Sequence, residues 1–480
     1  MKYEAVIGLE VHTELNTQTK IFCGCCNQFG AEPNTNVCPV CLGYPGSLPV
    51  MNREAIRKTI IAGLMCGCEI APYSKWDRKN YYYPDMPKNY QISQFDLPIC
   101  LGGVVPIAGK GFSGELLDER DIGITRIHLE EDVAKSTHLG KFSGVDFNRA
   151  GVPLMEIVSE PDMHTPDEAY AYLVALKQAM EYAGVSDCDM EKGQMRCDVN
   201  VSVRPVGQVE LGTKIEIKNL NSFRSAHRSL EYEIERQIEE LEDGGRMFQE
   251  TRRWDDAAGM TTVMRTKESA HDYRYFPDPD LMPVEVSAEW LEELRGGLAE
   301  TPYARRDRFV AEYAVTPYDA HVLTLEQVTA DYFEVAAQGR KSAKMVANWI
   351  QTELLGAISK GGHTLAESPV PAEALSELVG LIEANTISGK IAKDVFAEML
   401  ENGRSAKAIV KDKGLEQVTD TGAIEGMVDA AIAANPKPVA EYQEGNKKAV
   451  QFLVGQVMKA SRGKANPQMV VQLLKQRLDG

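Results

Sequence analysis

The run YEAVIGLEVHTE, residues 3–14, carries the reading of the fold. Leu9 and Val11 fall on one face of it, and Glu10, His12 and Glu14 on the other. A period of two is that of a β-strand with one side against a core and one toward solvent. The pattern returns at 196–204, where Cys197, Val199, Val201 and Val203 oppose Asp198, Asn200 and Ser202. It returns again at 214–218, where Ile215 and Ile217 oppose Glu216 and Lys218. A loop containing Pro205 and Gly207 joins these two runs, which therefore read as a hairpin. Strands of this kind predict an antiparallel sheet with one buried face.

Helices interleave with the strands. Thr165-Pro166-Asp167-Glu168 combines an N-cap, a proline at the first helical position and a capping-box glutamate, so a helix begins there and ends near Gly184. A second is expected from Ser225 to Asp243, with Leu230, Ile234, Ile238 and Leu241 at helical spacing and a stop at Gly244-Gly245. Beyond Trp290 the strand pattern fades, and helical patterns broken by Gly296-Gly297, Gly361-Gly362, Pro369 to Pro371 and Pro436 take over. The last two helices place Val450, Leu453, Val454, Val457 and Met458 on one stripe and then, behind an Asn466 cap and Pro467, Val470, Val471, Leu474 and Leu478. The expected fold class is α+β: a sheet-containing domain over 1–293, an all-helical domain over 294–405 and a helical tail over 406–480.

Composition sets the outer bounds. With 480 residues, 44% hydrophobic and 25% charged, the chain has material for about three globular domains. No apolar run approaches the roughly 18 residues of a membrane span, so no membrane association is expected. Glu4 and a strand pattern stand where a basic segment and apolar run would mark a secretory signal. The ten cysteines are accordingly expected to be reduced and the protein cytoplasmic. A net charge of −18 argues against a non-specific nucleic-acid binder. The segment 445–478 departs from this balance, with Lys447, Lys448, Lys459, Arg462, Lys464, Lys475 and Arg477 and no acidic residue. It reads either as a solubilising helical surface or as a contact for RNA.

Two inorganic sites are written near the N-terminus. Cys23-Gly-Cys25-Cys26 and Cys38-Pro-Val-Cys41 supply two close pairs of thiolates. Four such ligands suit a tetrahedral structural zinc held by Cys23, Cys25, Cys38 and Cys41, with Cys26 the rival of Cys25. The alternative is a set of reduced, buried cysteines, which is the expectation for the scattered Cys66, Cys68, Cys100, Cys188 and Cys197. Glu10 and His12, together with RIHLEED (126–132) and LMEI (154–157), offer carboxylates with imidazole. That set favours Mg2+ or Mn2+, or else is a solvated acidic face.

The stretch DRKNYYYPDMPKNYQISQFD, residues 77–96, is too polar and aromatic to read as core. Its Lys79 and Lys88 suit a phosphate or carboxylate, and its tyrosines a nucleobase. No Walker A run and no G-x-S-x-G elbow is present, so neither a P-loop nor a self-contained serine hydrolase is expected.

GLEVH (8–12), CPVCLGYPG (38–46), the 77–96 stretch, RIHLEED, PLMEIVSEPD (153–162), MRCDVNVSVRP (195–205), KIEIKNLNSF (214–223), YRYFPDPDLMP (273–283) and FLVGQVMKASRGKANPQ (452–468) follow one another in order. With these motifs the chain resembles, essentially from end to end, the B subunit of the bacterial aspartyl/glutamyl-tRNA(Asn/Gln) amidotransferases. The resemblance implies an ATP-dependent enzyme in a heterotrimer with an A and a C subunit. The A subunit hydrolyses glutamine and its ammonia is channelled to the B subunit. The B subunit phosphorylates the side-chain carboxylate of misacylated Glu-tRNA(Gln) or Asp-tRNA(Asn), and ammonia displaces the phosphate to give Gln-tRNA(Gln) or Asn-tRNA(Asn).

The resemblance further implies a cradle-like catalytic domain, then a helical domain and a YqeY-like tail that contacts tRNA through Lys447, Lys448, Lys459, Arg462 and Lys464. It maps the magnesium ligands onto Glu10, His12, Glu131 and Glu156, places Lys79 and Lys88 along the active site or channel, and makes the zinc structural. Strict strand alternation instead groups His128, Glu130 and Asp132, and a bulge near Glu130 is one way to reconcile the two. Two rival readings stay open: a tRNA-binding scaffold with a solvated acidic surface, and an ATP-dependent ligase acting on a free amino acid.

Overall fold

The computed structural model describes residues 2–266, 273–362, 364–416, 421–461 and 465–479. The chain divides into two compact units, Met1–Ala304 and Arg305–Gly480.

The first unit is built on a ten-stranded sheet whose centre is Tyr3–Glu14. Met195–Pro205 pairs with one edge of this strand and Pro153–Ser159 with the other. Outside the former lie Ile215–Leu220, Glu250–Asp255 and Met260–Thr266. Outside the latter lies Leu116–Glu131, followed by the short Cys100–Leu101 and Glu69–Ile70, while Val104–Lys110 pairs with the first half of Leu116–Glu131.

The period-two reading holds across these strands. Ile7, Leu9, Val11, Ile127, Leu129, Met155, Ile157, Val199, Val201, Ile215 and Ile217 are buried in one core. Helices Arg53–Met65, Pro166–Tyr182 and Phe223–Glu242 pack over that core. The opposite face keeps its polar side chains, and the candidate site lies there.

The hairpin of Met195–Pro205 and Ile215–Leu220 is present and antiparallel. The sheet as a whole is mixed, because Ile215–Leu220 and Glu250–Asp255 run parallel. Helix Phe223–Glu242 lies between them in the chain and returns it to the end of the sheet from which it left, the crossover that a parallel pair requires. The helix at Thr165 has its capping box: Glu168 N–H donates to Thr165 Oγ1 and Thr165 N–H to Glu168 Oε2. The next helix starts at Phe223, not Ser225, because Ser222 is the N-cap and accepts from Ser225 N–H.

The second unit is helical throughout its described residues and contains two cores. One gathers Phe309, Phe333, Trp349, Leu378 and Phe396. The other gathers Ile424, Tyr442, Leu453, Val457, Val470 and Leu474. Asn466 caps the last helix, Pro467–Asp479, accepting from the N–H groups of Gln468 and Met469. No helix among the described residues is long and apolar enough to cross a membrane.

Asp319 is the third helical residue of the capping box that Thr316 opens. Its carboxylate accepts from Thr316 N–H and Oγ1, Lys344 Nζ and Gln351 Nε2, and its own N–H returns to Thr316 Oγ1. Burial raises the carboxyl pKa, but the bonds from Lys344 and Thr316 outweigh it and hold Asp319 below its usual range. The charged form is therefore favoured by folding, and its contribution is full above the unfolded value and lost as pH falls through the folded one. Asp319→Asn is expected to cost about 1–2 kcal/mol at neutral pH. Urea midpoints of the variant and parent should converge as pH drops below about 4, and an equal gap at both pH values contradicts this account.

Candidate active site

The polar face of the sheet becomes a site through strand register. Glu10 lies opposite Asp198 on one neighbour, and His12 opposite Glu156 on the other. Glu156 in turn lies opposite His128, and Asn200 opposite Glu216. Each of these residues shares the outward parity of its strand, so segments far apart in the chain form one polar row. The hairpin Asp77–Asn80 and Tyr90–Ser93 closes over this row, with Tyr273 and Tyr275 beside it. The result is a cleft of about 320 Å³ lined by Glu10, His12, Lys79, His128, Glu130 and Glu156, with Asp198, Glu216 and Lys218 at one side.

Ligand atoms of His12, Glu130 and Glu156 lie within 4.8 Å of one another. His12 Nε2 is 3.3 Å from Glu156 Oε2 and 3.9 Å from Glu130 Oε1. His128 Nε2 stands 3.7 Å from Glu130 and 3.8 Å from Glu156. An octahedral ion with bonds of about 2.1 Å needs ligand separations of about 3.0 Å, which small side-chain rotations supply. Two carboxylates with one imidazole make an oxygen-rich set that favours Mg2+ or Mn2+. A second trio, Glu10, Asp198 and Glu216, meets the same 4.8 Å criterion. It already encloses a cation, because Lys218 Nζ is bonded to Asp198 and lies 3.0 Å from Glu216.

Charge complementarity keeps the cleft ionised. Burial raises the Glu156 pKa, but His128, His12 and Lys79 bring it well below the usual carboxylate range. Burial likewise opposes ionisation of Glu130, and His128 and Lys79 overcome it. The Lys79 ammonium loses hydration on burial yet stays above its usual pKa through Glu130, with Tyr275 and Glu156 adding. It sits 5.1 Å over the Tyr273 ring. His12 shows the same balance, burial lowering its pKa and Glu156 raising it further. Glu10 is oriented by Asn200 Nδ2 at 2.9 Å.

Glu131 is placed elsewhere. Leu116–Glu131 has its irregularity near Thr125, but from Arg126 to Glu131 its pairing is unbroken, so Glu130 and Glu131 point to opposite faces and no bulge brings both into the cleft. Glu131 accepts from Lys88 Nζ and from Ile92 N–H, inside a second, smaller recess lined by Phe22, Cys23, Cys41, Gly43, Tyr90 and Gly151. Lys79 and Lys88 are therefore separated, one facing Glu130 and the other Glu131. Asp132 lies past the strand end and pairs with Arg196 at 2.6 Å and Arg149 at 3.5 Å.

The second recess abuts the cysteines. The sulfurs of Cys23, Cys25, Cys38 and Cys41 lie within 4.8 Å of one another, with Cys38 and Cys41 3.9 Å apart. A zinc with bonds of about 2.3 Å has sulfurs about 3.8 Å apart, so these residues fit the metal. Cys26 is exposed and outside the group. Hydrogen bonding from Cys23 pulls the Cys41 thiol down to about 5 against burial, helped by Cys38 N–H and Lys20. The remaining five cysteines are buried.

Residues 5–292 match the family model described as the GatB/GatE catalytic domain, and 331–478 match the one described as the GatB domain. The chain is 56% identical over 482 residues to the aspartyl/glutamyl-tRNA(Asn/Gln) amidotransferase B subunit of Carboxydothermus hydrogenoformans, covering 99% of each chain. This chain belongs to that family. The same-named proteins of Caldanaerobacter subterraneus subsp. tengcongensis and Brevibacillus brevis are 55% and 52% identical, each over 100% of this chain and, respectively, 100% and 99% of theirs. The chain is thus one of the polypeptides of a ligase-type amidotransferase, with an α+β first unit and a helical YqeY-type tail.

Within this family framework the basic tail divides. Lys448 and Lys459 are exposed. Lys447 is held by Asp479 at 2.9 Å and lies 4.0 Å over the Tyr442 ring, and Arg477 pairs with Asp429. Arg462 and Lys464 lie outside the described residues. Asp198, Glu216 and Lys218 join the cleft although sequence reading assigned them no role. Their signal was the polar face of two alternating runs, and only pairing partners could connect it to Glu10.

Proposed function

We propose that this chain catalyses the ATP-dependent activation and amidation step on misacylated Glu-tRNA(Gln) or Asp-tRNA(Asn), in the cytoplasm, within a complex that also holds an A subunit, the glutaminase, and a C subunit. The observation that carries the reading is the convergence of His12, Glu130 and Glu156 with the Lys79 ammonium in one cleft, where the lining serine, Ser93, donates to Glu130 at 3.1 Å. The reaction needs no side-chain nucleophile, since the substrate carboxylate attacks ATP and ammonia attacks the resulting acyl phosphate.

His12, Glu130 and Glu156 hold a divalent cation, with Glu10 beside them. When bound, that ion neutralises the ATP phosphates and the transferring phosphoryl group. Lys79 faces the same space and pairs with a phosphate or the substrate carboxylate. The two tyrosines and the sheet narrow the cleft around the reacting groups. Glu131 and Lys88 form a separate polar pair on the far side of the strand, where ammonia is conducted. Cys23, Cys25, Cys38 and Cys41 hold a structural zinc.

The test is the assembled complex with ATP, Mg2+, glutamine and mischarged tRNA. Phosphate release coupled to amidated tRNA is expected, and free glutamate should not substitute for the charged tRNA. Equal turnover of free glutamate would instead establish a small-molecule ligase.

The tail supplies tRNA affinity through its exposed lysines. Lys448→Glu with Lys459→Glu is expected to raise KM for tRNA about tenfold, with kcat little changed and a flatter salt dependence. An unaltered KM removes these lysines from the tRNA surface.

A further inference from the structure

We propose that the cysteine site positions Lys88, with Gly43 as the contact, so that metal loading sets the Lys88–Glu131 pair. The proposal rests on the reading above that Lys88 serves the reaction. Lys88 is gripped by the two loops that carry the thiolates.

Gly43 lies two residues past Cys41 and is fixed by the knuckle, donating its N–H to Val40 O at 3.0 Å while Leu42 donates to Cys38 O at 3.0 Å. Gly43 has φ +67, and a Cβ there would lie 2.5 Å from Lys88 Cγ and 3.1 Å from Lys88 Cα. The knuckle backbone therefore presses on the lysine's own backbone and stem, which leaves no room for any side chain. On the other side, Phe22, the neighbour of Cys23, lies 5.7 Å beneath the Lys88 ammonium. Tyr90 closes the third side at 5.1 Å.

The two cysteine pairs thus carry two of the three walls. A metal bonded to all four sulfurs fixes the distance between those walls. Lys20 ties this assembly inward: it is fully buried, with Nζ 3.7 Å from Cys41 Sγ and 3.2 Å from Phe147 O. Gly151 borders the same recess, where an added Cβ would lie 3.6 Å from Cys41 Cβ and 4.0 Å from Glu131 Oε2. Cys23, Cys41, Gly43, Lys88 and Glu131 line one recess, so the metal acts on Lys88 at short range and not only as a staple of the fold.

The experiment uses the assembled complex in three states: zinc-loaded, chelator-stripped, and Gly43→Ala with its zinc content measured. Reductive methylation followed by mass spectrometry reads Lys88 directly. Its labelling is expected to accelerate about fivefold on stripping and in Gly43→Ala, while Gly43→Ala keeps one zinc per chain. Transamidation kcat should fall about tenfold in both, and neither change should add to the loss in a Lys88→Ala background. Unchanged Lys88 labelling on stripping overturns the coupling, whether or not Gly43→Ala folds. Full activity of Lys88→Ala overturns instead the assignment of Lys88 to the reaction.

Discussion

Exchange of Glu156 for glutamine is expected to lower transamidation by the assembled complex at least about 100-fold, with the fold intact. Glu156 is the hub of the cleft: His12 lies 3.3 Å away, His128 3.8 Å and Arg126 3.5 Å. The substitution keeps the shape of the side chain and removes the one charge to which all three respond. Its loss removes the partner these three side chains share and deprives a divalent ion of an anionic oxygen. Thermal unfolding and partner glutaminase activity provide the controls. Wild-type rates in Glu156→Gln would remove this cleft from the chemistry.

The neighbouring carboxylates sharpen the comparison. Glu130→Gln should raise the Mg2+ concentration needed for half-maximal rate. Glu131→Gln should leave that requirement alone, because its carboxylate is engaged by Lys88 and Ile92 N–H on the other face. The reverse result would place the ion with Glu131.

Asp132→Ala is expected to destabilise the first unit by about 3 kcal/mol, lowering Tm by several degrees. The carboxylate is 3% exposed and bonds Arg196 at 2.6 Å, Arg149 at 3.5 Å and the N–H of Val133 at 2.8 Å. It ties the end of Leu116–Glu131 to the start of Met195–Pro205, two strands with Tyr3–Glu14 and Pro153–Ser159 between them. Truncation leaves the Arg196 guanidinium with its principal partner gone, a larger loss than the net value of the pair. The Mg2+ requirement should not change, since Asp132 lies outside the His12, Glu130 and Glu156 group. Differential scanning calorimetry beside a Mg2+ titration separates this role from that of a metal ligand. An altered requirement at unchanged Tm would mean that Asp132 serves the cleft.

Much of this arrangement was local and therefore legible in the residues themselves. Alternation at 3–14, 196–204 and 214–218 assigned each side chain to a face, because a strand's period is a property of its backbone. Thr165-Pro-Asp-Glu and Asn466-Pro started helices because capping satisfies N–H groups within one turn. Two close cysteine pairs announced a cluster of four sulfurs, since a short loop leaves thiolates few other places to meet.

What needed tertiary structure were the partners. Glu10 meets Asp198, and His12 meets Glu156, only through the register of strands more than a hundred residues apart in the chain. The same holds for the parallel pair beyond the hairpin, which follows from the path of a helix and not from either strand. Glu130 and Glu131 are adjacent carboxylates with no chemical difference between them. The strand is regular from Arg126 to its last residue, and that sends Glu130 to the cleft and Glu131 to Lys88. Lys79 and Lys88 part for a related reason, one lying within a hairpin strand and the other in its loop. Residue order determined which groups each element could present; long-range pairing decided which of them share a site.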